Sequence, residues 1–206
     1  MVAVQPDGRS LVGDVVRLDL GGPADGSGLF AALNDPRVYA SGFGGGPGNR
    51  PRDLAAFDRW WSSALADSRR PAVYVVRLVA DGPLGPAGAI AGTSSLGDVS
   101  VADERVHLGW TAYAPALWGS AVNPECKLLL LAHAFDDCRF GRVKIQTDLL
   151  NTRSQAAIAK LGAVREGVLR RHQVRADHSF RDTVVYSILR DEWPEVRARL
   201  RLRLTT

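Results

Sequence analysis

Between residues 10 and 20, SLVGDVVRLDL, apolar and polar positions alternate, and the run ends at Gly21-Gly22-Pro23. Alternation at the side-chain repeat of a strand, closed by turn-forming residues, predicts a first β-strand. Two stretches with helical spacing follow, at 27–39 and 53–67, separated by a glycine-rich loop, SGFGGGPGNRP. Three strand-like runs come next, at 72–80, 87–96 and 105–113, divided by Gly, Pro and Asp clusters that suit an antiparallel meander. In the third run, Val106, Leu108, Trp110 and Ala112 are expected on one face, and His107, Gly109, Thr111 and Tyr113 on the other.

Asn123-Pro124-Glu125 then predicts a helix start, with Asn123 as N-cap, Pro124 at the first helical position and an acid in the first turn. Leu128, Leu131, Ala132, Phe135 and Cys138 are its expected apolar stripe. A strand at 142–148 leads to a short helix at 151–162, where Thr152 and Gln155 have capping-box spacing and Gly162 is the terminator. Runs at 164–174 and 179–189 predict a hairpin around Ala176-Asp177, and 191–200 predicts a closing helix. This order implies one mixed α/β domain over residues 1–206, with helices on both sides of a central sheet.

The longest strongly apolar stretch, 128–135, is interrupted by His133 and falls far short of the roughly 20 residues of a membrane-spanning helix. The N-terminus lacks the basic-then-apolar pattern of a signal peptide, so a cytoplasmic protein is expected. Cys126 and Cys138 fall in one predicted helix, roughly 18 Å apart along its axis, too far for a disulfide. His107, His133, His172 and His178 show no zinc spacing, so no metal is expected. A net charge of +4, with Arg165, Arg170, Arg171, Arg175 and Arg181 gathered late in the chain, suits an anionic ligand or partner. No aromatic interleaving accompanies that charge, which argues against nucleic acid. The glycine-rich loop matches neither phosphate-binding template, leaving a linker or a loop at a substrate entrance as its two readings.

Three blocks carry a more specific signal: HLGWTAYAPALWGSAVNPECKLLLLAHAF, KIQTDLLNTRSQAAIAKLGAVREGVLRRHQV and FRDTVVYSILRDEW. In order and spacing they resemble a GNAT-superfamily N-acetyltransferase of the Rim-type subgroup, which acetylates ribosomal-protein N-termini. The resemblance spans about Arg105 to Arg199, and the first 100 residues match in their pattern of strand, two helices and strands. It implies a mostly antiparallel central sheet with helices on both faces. It also implies acetyl-CoA (coenzyme A) as co-substrate and a primary amine as acceptor, either a protein N-terminus or a small molecule such as a polyamine, amino acid or antibiotic. The family's habit, with the apolar-basic hairpin, adds the expectation of a homodimer.

The family's cofactor motif, Gln/Arg-x-x-Gly-x-Gly/Ala, aligns with Ala116-Leu117-Trp118-Gly119-Ser120-Ala121; Gly119 and Ala121 match, whereas Ala116 departs. Small residues before a helix let consecutive backbone N–H groups face a pyrophosphate, where the helix dipole also favours it. The resemblance thus assigns Trp110, Thr111, Trp118, Gly119, Ser120, Ala121, Val122 and Asn123 to the cofactor, with Asn151 and Ser154 on the pantetheine arm and acyl end. With Thr152 as the cap, Asn151 is expected to be left for ligand. His107 stands where many relatives carry a glutamate base, and Ile158 where a tyrosine commonly protonates the departing thiolate. His107 and Ser154 are the expected catalytic residues, an imidazole being suited to accept a proton near neutrality. The competing reading is a non-catalytic acyl-CoA-binding or regulatory protein that keeps the loop and has lost the usual acid and base.

Overall fold

In the computed structural model, which describes residues 2–40, 42–175 and 177–205, the first alternating run is two short strands, β1 (Leu11–Val12) and β2 (Val16–Leu20). The division has a cause distant in sequence. The carboxylate of Glu125 accepts the N–H groups of Asp14, Val15 and Val16 at 3.0, 2.7 and 2.6 Å, drawing the chain into a turn. The helix predicted at 27–39 is also divided, into α1 (Gly26–Leu33) and α2 (Pro36–Ala40). Pro36 cannot donate to the helix and disfavours helical geometry at Asp35, so the first helix ends before it. Helix α3 (Leu54–Ala66) is capped by Asp53, whose side chain accepts the Ala56 N–H at 2.8 Å.

Strands β3 (Ala72–Leu78), β4 (Ile90–Ser100) and β5 (Arg105–Tyr113) form the expected meander. Helix α4 (Val122–Ala132) ends in a π turn over His133–Asp137 and leads to β6 (Arg142–Asp148). Helix α5 (Thr152–Ala159), the long strands β7 (Val164–Val174) and β8 (Phe180–Leu189), and α6 (Trp193–Leu204) complete the chain. The hairpin is as expected, although Ala176 of its turn lies outside the described residues, as does Ser41 of the glycine-rich loop.

The strands form one eight-stranded sheet in the order β1-β2-β3-β4-β5-β6-β8-β7. Every pairing is antiparallel except β5 with β6, which the α4 crossover makes parallel. That pairing runs from Arg105↔Arg142 only to His107↔Lys144, although β5 continues to Tyr113 and β6 to Asp148. The two strands diverge toward their C-terminal ends and leave a gap in the middle of the sheet.

Apolar residues bury both faces. Leu130 and Leu131 of α4, Ile158 of α5 and Val196 and Leu200 of α6 pack with Val106, Leu108, Val143 and Ile145 on one side. Leu29 and Leu33 of α1 and Phe57 and Trp61 of α3 pack with Val73, Val75 and Ala112 on the other. The α4 stripe differs from expectation: Leu131, Phe135 and Cys138 are buried, but Leu128 and Ala132 are only partly so, and Val122, Cys126 and Leu130 face the core instead. Both cysteines are free and buried.

Candidate functional site

The gap between β5 and β6 is the floor of a cleft of ≈ 1020 Å³, walled by the glycine-rich loop, the start of α4, the start of α5 and the β7–β8 hairpin. Its shape begins with one irregularity. Thr93 pairs with Ala112 but Ser95 pairs with Gly109, so β5 holds one extra residue there, and Trp110 takes a left-handed φ of 49°. Alternation breaks at that bulge. Val106 and Leu108 face the α4 core together with Tyr113, and Thr111 joins them through its bond to Lys127. Trp110 instead lies beside His107, with ring centroids 4.7 Å apart, and Ala112 faces the α1–α3 core. The face assignment expected from strict alternation is therefore correct up to Gly109 and reversed beyond it.

His107 is only 3% exposed. Its Nδ1 lies 3.3 Å from Asp98 Oδ2, a charge contact in which the hydrogen-bond angles are not met, so neither ring nitrogen has an aligned partner among the described residues. Burial holds the imidazole pKa below its ordinary 6.5, against the opposing pull of Asp98 and with the help of Lys144 and Lys127. Asp98 is held down to about 2, first by His107 and then by Lys144, whose Nζ is 3.3 Å away. The ring fits only because residue 109 is glycine: a Cβ there would sit 2.5 Å from His107 Nε2.

On the α4 side, Lys127 is buried with Nζ 2.9 Å from Thr111 Oγ1 and 3.5 Å from Ser94 Oγ, and those hydroxyls are 2.7 Å apart. No carboxylate pairs with it among the described residues, and burial lowers its pKa to about 8. Its place directly before four leucines, in PECKLLLL, was the available sequence signal.

Around the expected cofactor loop, the helix begins at Val122 with Ala121 as its N-cap residue, so Asn123 lies inside the first turn instead of capping it. Trp118 is extended and Gly119 left-handed, so the helix starts afresh after the 3₁₀ turn at Pro115–Leu117, one residue ahead of the Asn-Pro pair. Gly119 has φ +84° and open space where a Cβ would be, and the amides of Gly119 and Ala121 have no carbonyl partner among the described residues. Trp118, Gly119 and Asn123 line the cleft, whereas Val122 is fully buried in the α4 core. Arg153 stacks on the Trp118 ring, 3.5 Å from its centroid.

At α5 the cap is also reassigned. Asn151 Oδ1 accepts the Ser154 N–H at 3.0 Å, so Asn151 is the N-cap and Thr152 the first helical residue. Gln155 donates to Leu149 O at 2.7 Å instead of closing a capping box. Asn151, Ser154 and Ile158 nevertheless line the cleft. On the opposite wall, Arg175 grips Asp148 with Nη2 at 2.8 and 3.0 Å. The glycine-rich loop lies against that aspartate and lines the cleft. No group of three or more His, Cys, Asp or Glu among the described residues is placed to hold a metal, and no described helix is long and apolar enough to cross a membrane.

A family model described as an acetyltransferase (GNAT) domain matches residues 17–164. A provisionally assigned acetyltransferase from T. thermophilus is 35% identical with TM-score 0.80, covering 99% of this chain and 100% of that one. A GCN5-related N-acetyltransferase from Brucella melitensis is 24% identical with TM-score 0.87, covering 98% of this chain and 88% of that one. Mycobacterium smegmatis RimJ in complex with CoA-disulfide is 21% identical with TM-score 0.75, covering 98% and 97%. No curated protein matches the sequence.

Proposed function

Because the chain belongs to the GNAT acetyltransferase family, whose model covers residues 17–164, we propose that it transfers an acetyl or related acyl group from acyl-CoA to a primary amine. One observation carries this reading: β5 and β6 separate beyond His107 and Lys144, and the loop before α4, where the amides of Gly119 and Ala121 have no carbonyl partner among the described residues, brings Gly119 to the gap beside a helix N-terminus. A thioester supplies an acyl carbonyl already activated by its leaving group, so the protein's part is to bind, orient and move a proton. The Trp118–Asn123 loop holds the diphosphate through backbone donors, which the loss of the motif's first side chain at Ala116 does not remove. Asn151 and Ser154, one turn of α5, flank the pantetheine arm. Trp110 and Thr111 border the acyl end from the bulge.

His107, neutral near pH 7, takes the proton of the attacking amine, with Asp98 fixing the ring. Ile158 cannot protonate the thiolate as a tyrosine would. That departure also favours the second reading, an acyl-CoA-binding protein without turnover. Acceptors enter from the face of the glycine-rich loop and the hairpin. A protein N-terminus and a small amine both fit this description, and the Rim-type likeness supports the first.

Incubation with isotope-labelled acetyl-CoA and a cell extract, read by mass spectrometry, tests the assignment. Label should appear on an amine in amounts that scale with the protein. Binding of acetyl-CoA with no labelled product would establish the non-catalytic reading instead.

A further inference from the structure

Of Lys144, Arg175 and Arg181, the cations that β6 and the hairpin bring to the cleft, Arg181 alone lacks a close carboxylate among the described residues. Arg175 is fully engaged: beyond its Nη2 bonds to Asp148, its Nε is 3.2 Å from Asp148 Oδ2, and its Nη1 reaches Phe180 O at 2.8 Å and Ser179 Oγ at 3.2 Å. Lys144 is matched by Asp98. Arg181 has nothing of the kind. Its nearest carboxylate oxygen is that same Asp148 Oδ2, at 4.0 Å, and its side chain makes no hydrogen bond among the described residues. Yet the side chain is only 18% exposed. Burying a guanidinium beside only a distant carboxylate that another arginine already holds is unfavourable, and its planar fork is matched to carboxylate or phosphate oxygens. The charge is felt by a neighbour: the His172 imidazole is held below its ordinary pKa by burial first, and then by Arg181 and Lys144.

The position is as informative as the charge. Val143 and Ile145 of β6 and Val184 and Tyr186 of β8 face the α4 core, so alternation places Lys144, Gln146 and Asp148, with Arg181 and Thr183, on the opposite face. Gly42 of the glycine-rich loop lies over Asp148 on that face. This is the acceptor's approach, across the sheet from the helix whose N-terminal loop serves the diphosphate.

We infer that Arg181 anchors an anionic group on the acceptor, so that the amine acylated here carries a carboxylate or phosphate oxygen in addition to its reactive nitrogen. The inference rests on the acyl-transfer reading above. Asp148, locked by Arg175, positions the Arg181 guanidinium without neutralising it. Polyamines and other cationic amines are disfavoured by the same field.

The test has two arms. In the first, release of CoA thiol from acetyl-CoA is followed with amino acids as free acids and as their uncharged amides, and with phosphoethanolamine against ethanolamine. The amides have the lower amine pKa and so more free base at neutral pH, which biases the comparison against the inference. The anionic member of a pair should nonetheless have the higher kcat/KM, by ~10- to 100-fold, and the pair showing it separates carboxylate from phosphate. Arg181→Met should abolish that preference by raising KM for the acid, without lowering kcat/KM for the partner that lacks the anionic group; Arg181→Lys should retain part of it.

The second arm needs no turnover. N-acetylglycine and its uncharged amide, and O-phosphoethanolamine against ethanolamine, are titrated in with the His172 ring followed by NMR. The probe carrying a carboxylate or phosphate should raise the imidazole pKa saturably, its partner without that anion should not, and Arg181→Met should lose the response. Equal responses to both members of each pair, or equal turnover of both, would overturn the anion site. An anion-selective NMR response with no turnover of any amine would leave that site standing and sink the acyl-transfer reading.

Discussion

His107 combines burial, a carboxylate on one side and, among the described residues, no aligned partner for either ring nitrogen. With its pKa held below 6.5, it is neutral and able to accept a proton at physiological pH, and it loses that ability only on the acid side of 6.5. His107→Ala should therefore lower turnover by ~100- to 10,000-fold on a given acceptor, and the acid limb of the pH profile should move. Near-normal turnover with an unchanged profile, in a folded variant, would hand the proton to water and backbone carbonyls.

Lys127 gives a prediction of opposite character, about stability. Its ammonium titrates at about 8 in the fold against 10.5 when exposed. Between those values the unfolded chain binds more protons, so this lysine makes stability rise with pH across that window, and its penalty is fully present below it. Lys127→Met should raise stability at pH 7 by roughly 2 kcal/mol and flatten the rise between pH 8 and 10.5, measured by chemical denaturation. A destabilised variant would show that the bonds to Thr111 and Ser94 outweigh the buried charge. At this scale the sequence singled out His107 by its place in the family's pattern and counted Arg181 among the late arginines suited to an anion, but missed Lys127 and Asp98, whose contacts arise only when separate elements meet.

Elements with their cause in nearby residues were legible. The β5 and β6 spans follow from alternation, and α3 from its Asp53 cap. Those shaped from afar were not. Residues 10–20 look like one strand because nothing local announces the turn that Glu125 imposes from α4. The bulge at Trp110 is equally silent, since an extra residue in one strand is defined by the register of its partner. At α5, Thr152 and Asn151 are both good caps, and backbone geometry chose Asn151.

The Glu125 contact is the one whose loss would be felt across elements. Glu125→Gln leaves one acceptor oxygen for three converging N–H groups, and should cost about 2–4 kcal/mol with a lowered Tm, while acyl-CoA affinity in the folded fraction stays within about twofold. Unchanged stability would show that water serves the turn equally well.

At the scale of the whole molecule, the fold is a continuous sheet opened at one place. The antiparallel pairings on either side hold an ordinary sheet around that opening, and the single parallel pairing supplies it, because β5 and β6 are free to part once their ladder ends at Lys144. The layers then divide the labour: α4 and α5 bring backbone donors and caps to one side, while β6 and the hairpin bring charged side chains to the other, beside the glycine-rich loop. That division was implied by the family resemblance, whereas the charge of the acceptor side came from the structure.

The central claim is that the loop before α4 holds acyl-CoA in this opening. Calorimetric titration of acetyl-CoA into the wild-type protein and into Gly119→Glu tests it most directly, with circular dichroism confirming that the variant is folded. A glutamate at 119 would meet the diphosphate with bulk and like charge; its Cβ would enter open space, although the φ of +84° strains any side chain there. Saturable binding to the wild type and its loss in the folded variant is the predicted result; equal affinity for both would contradict the account.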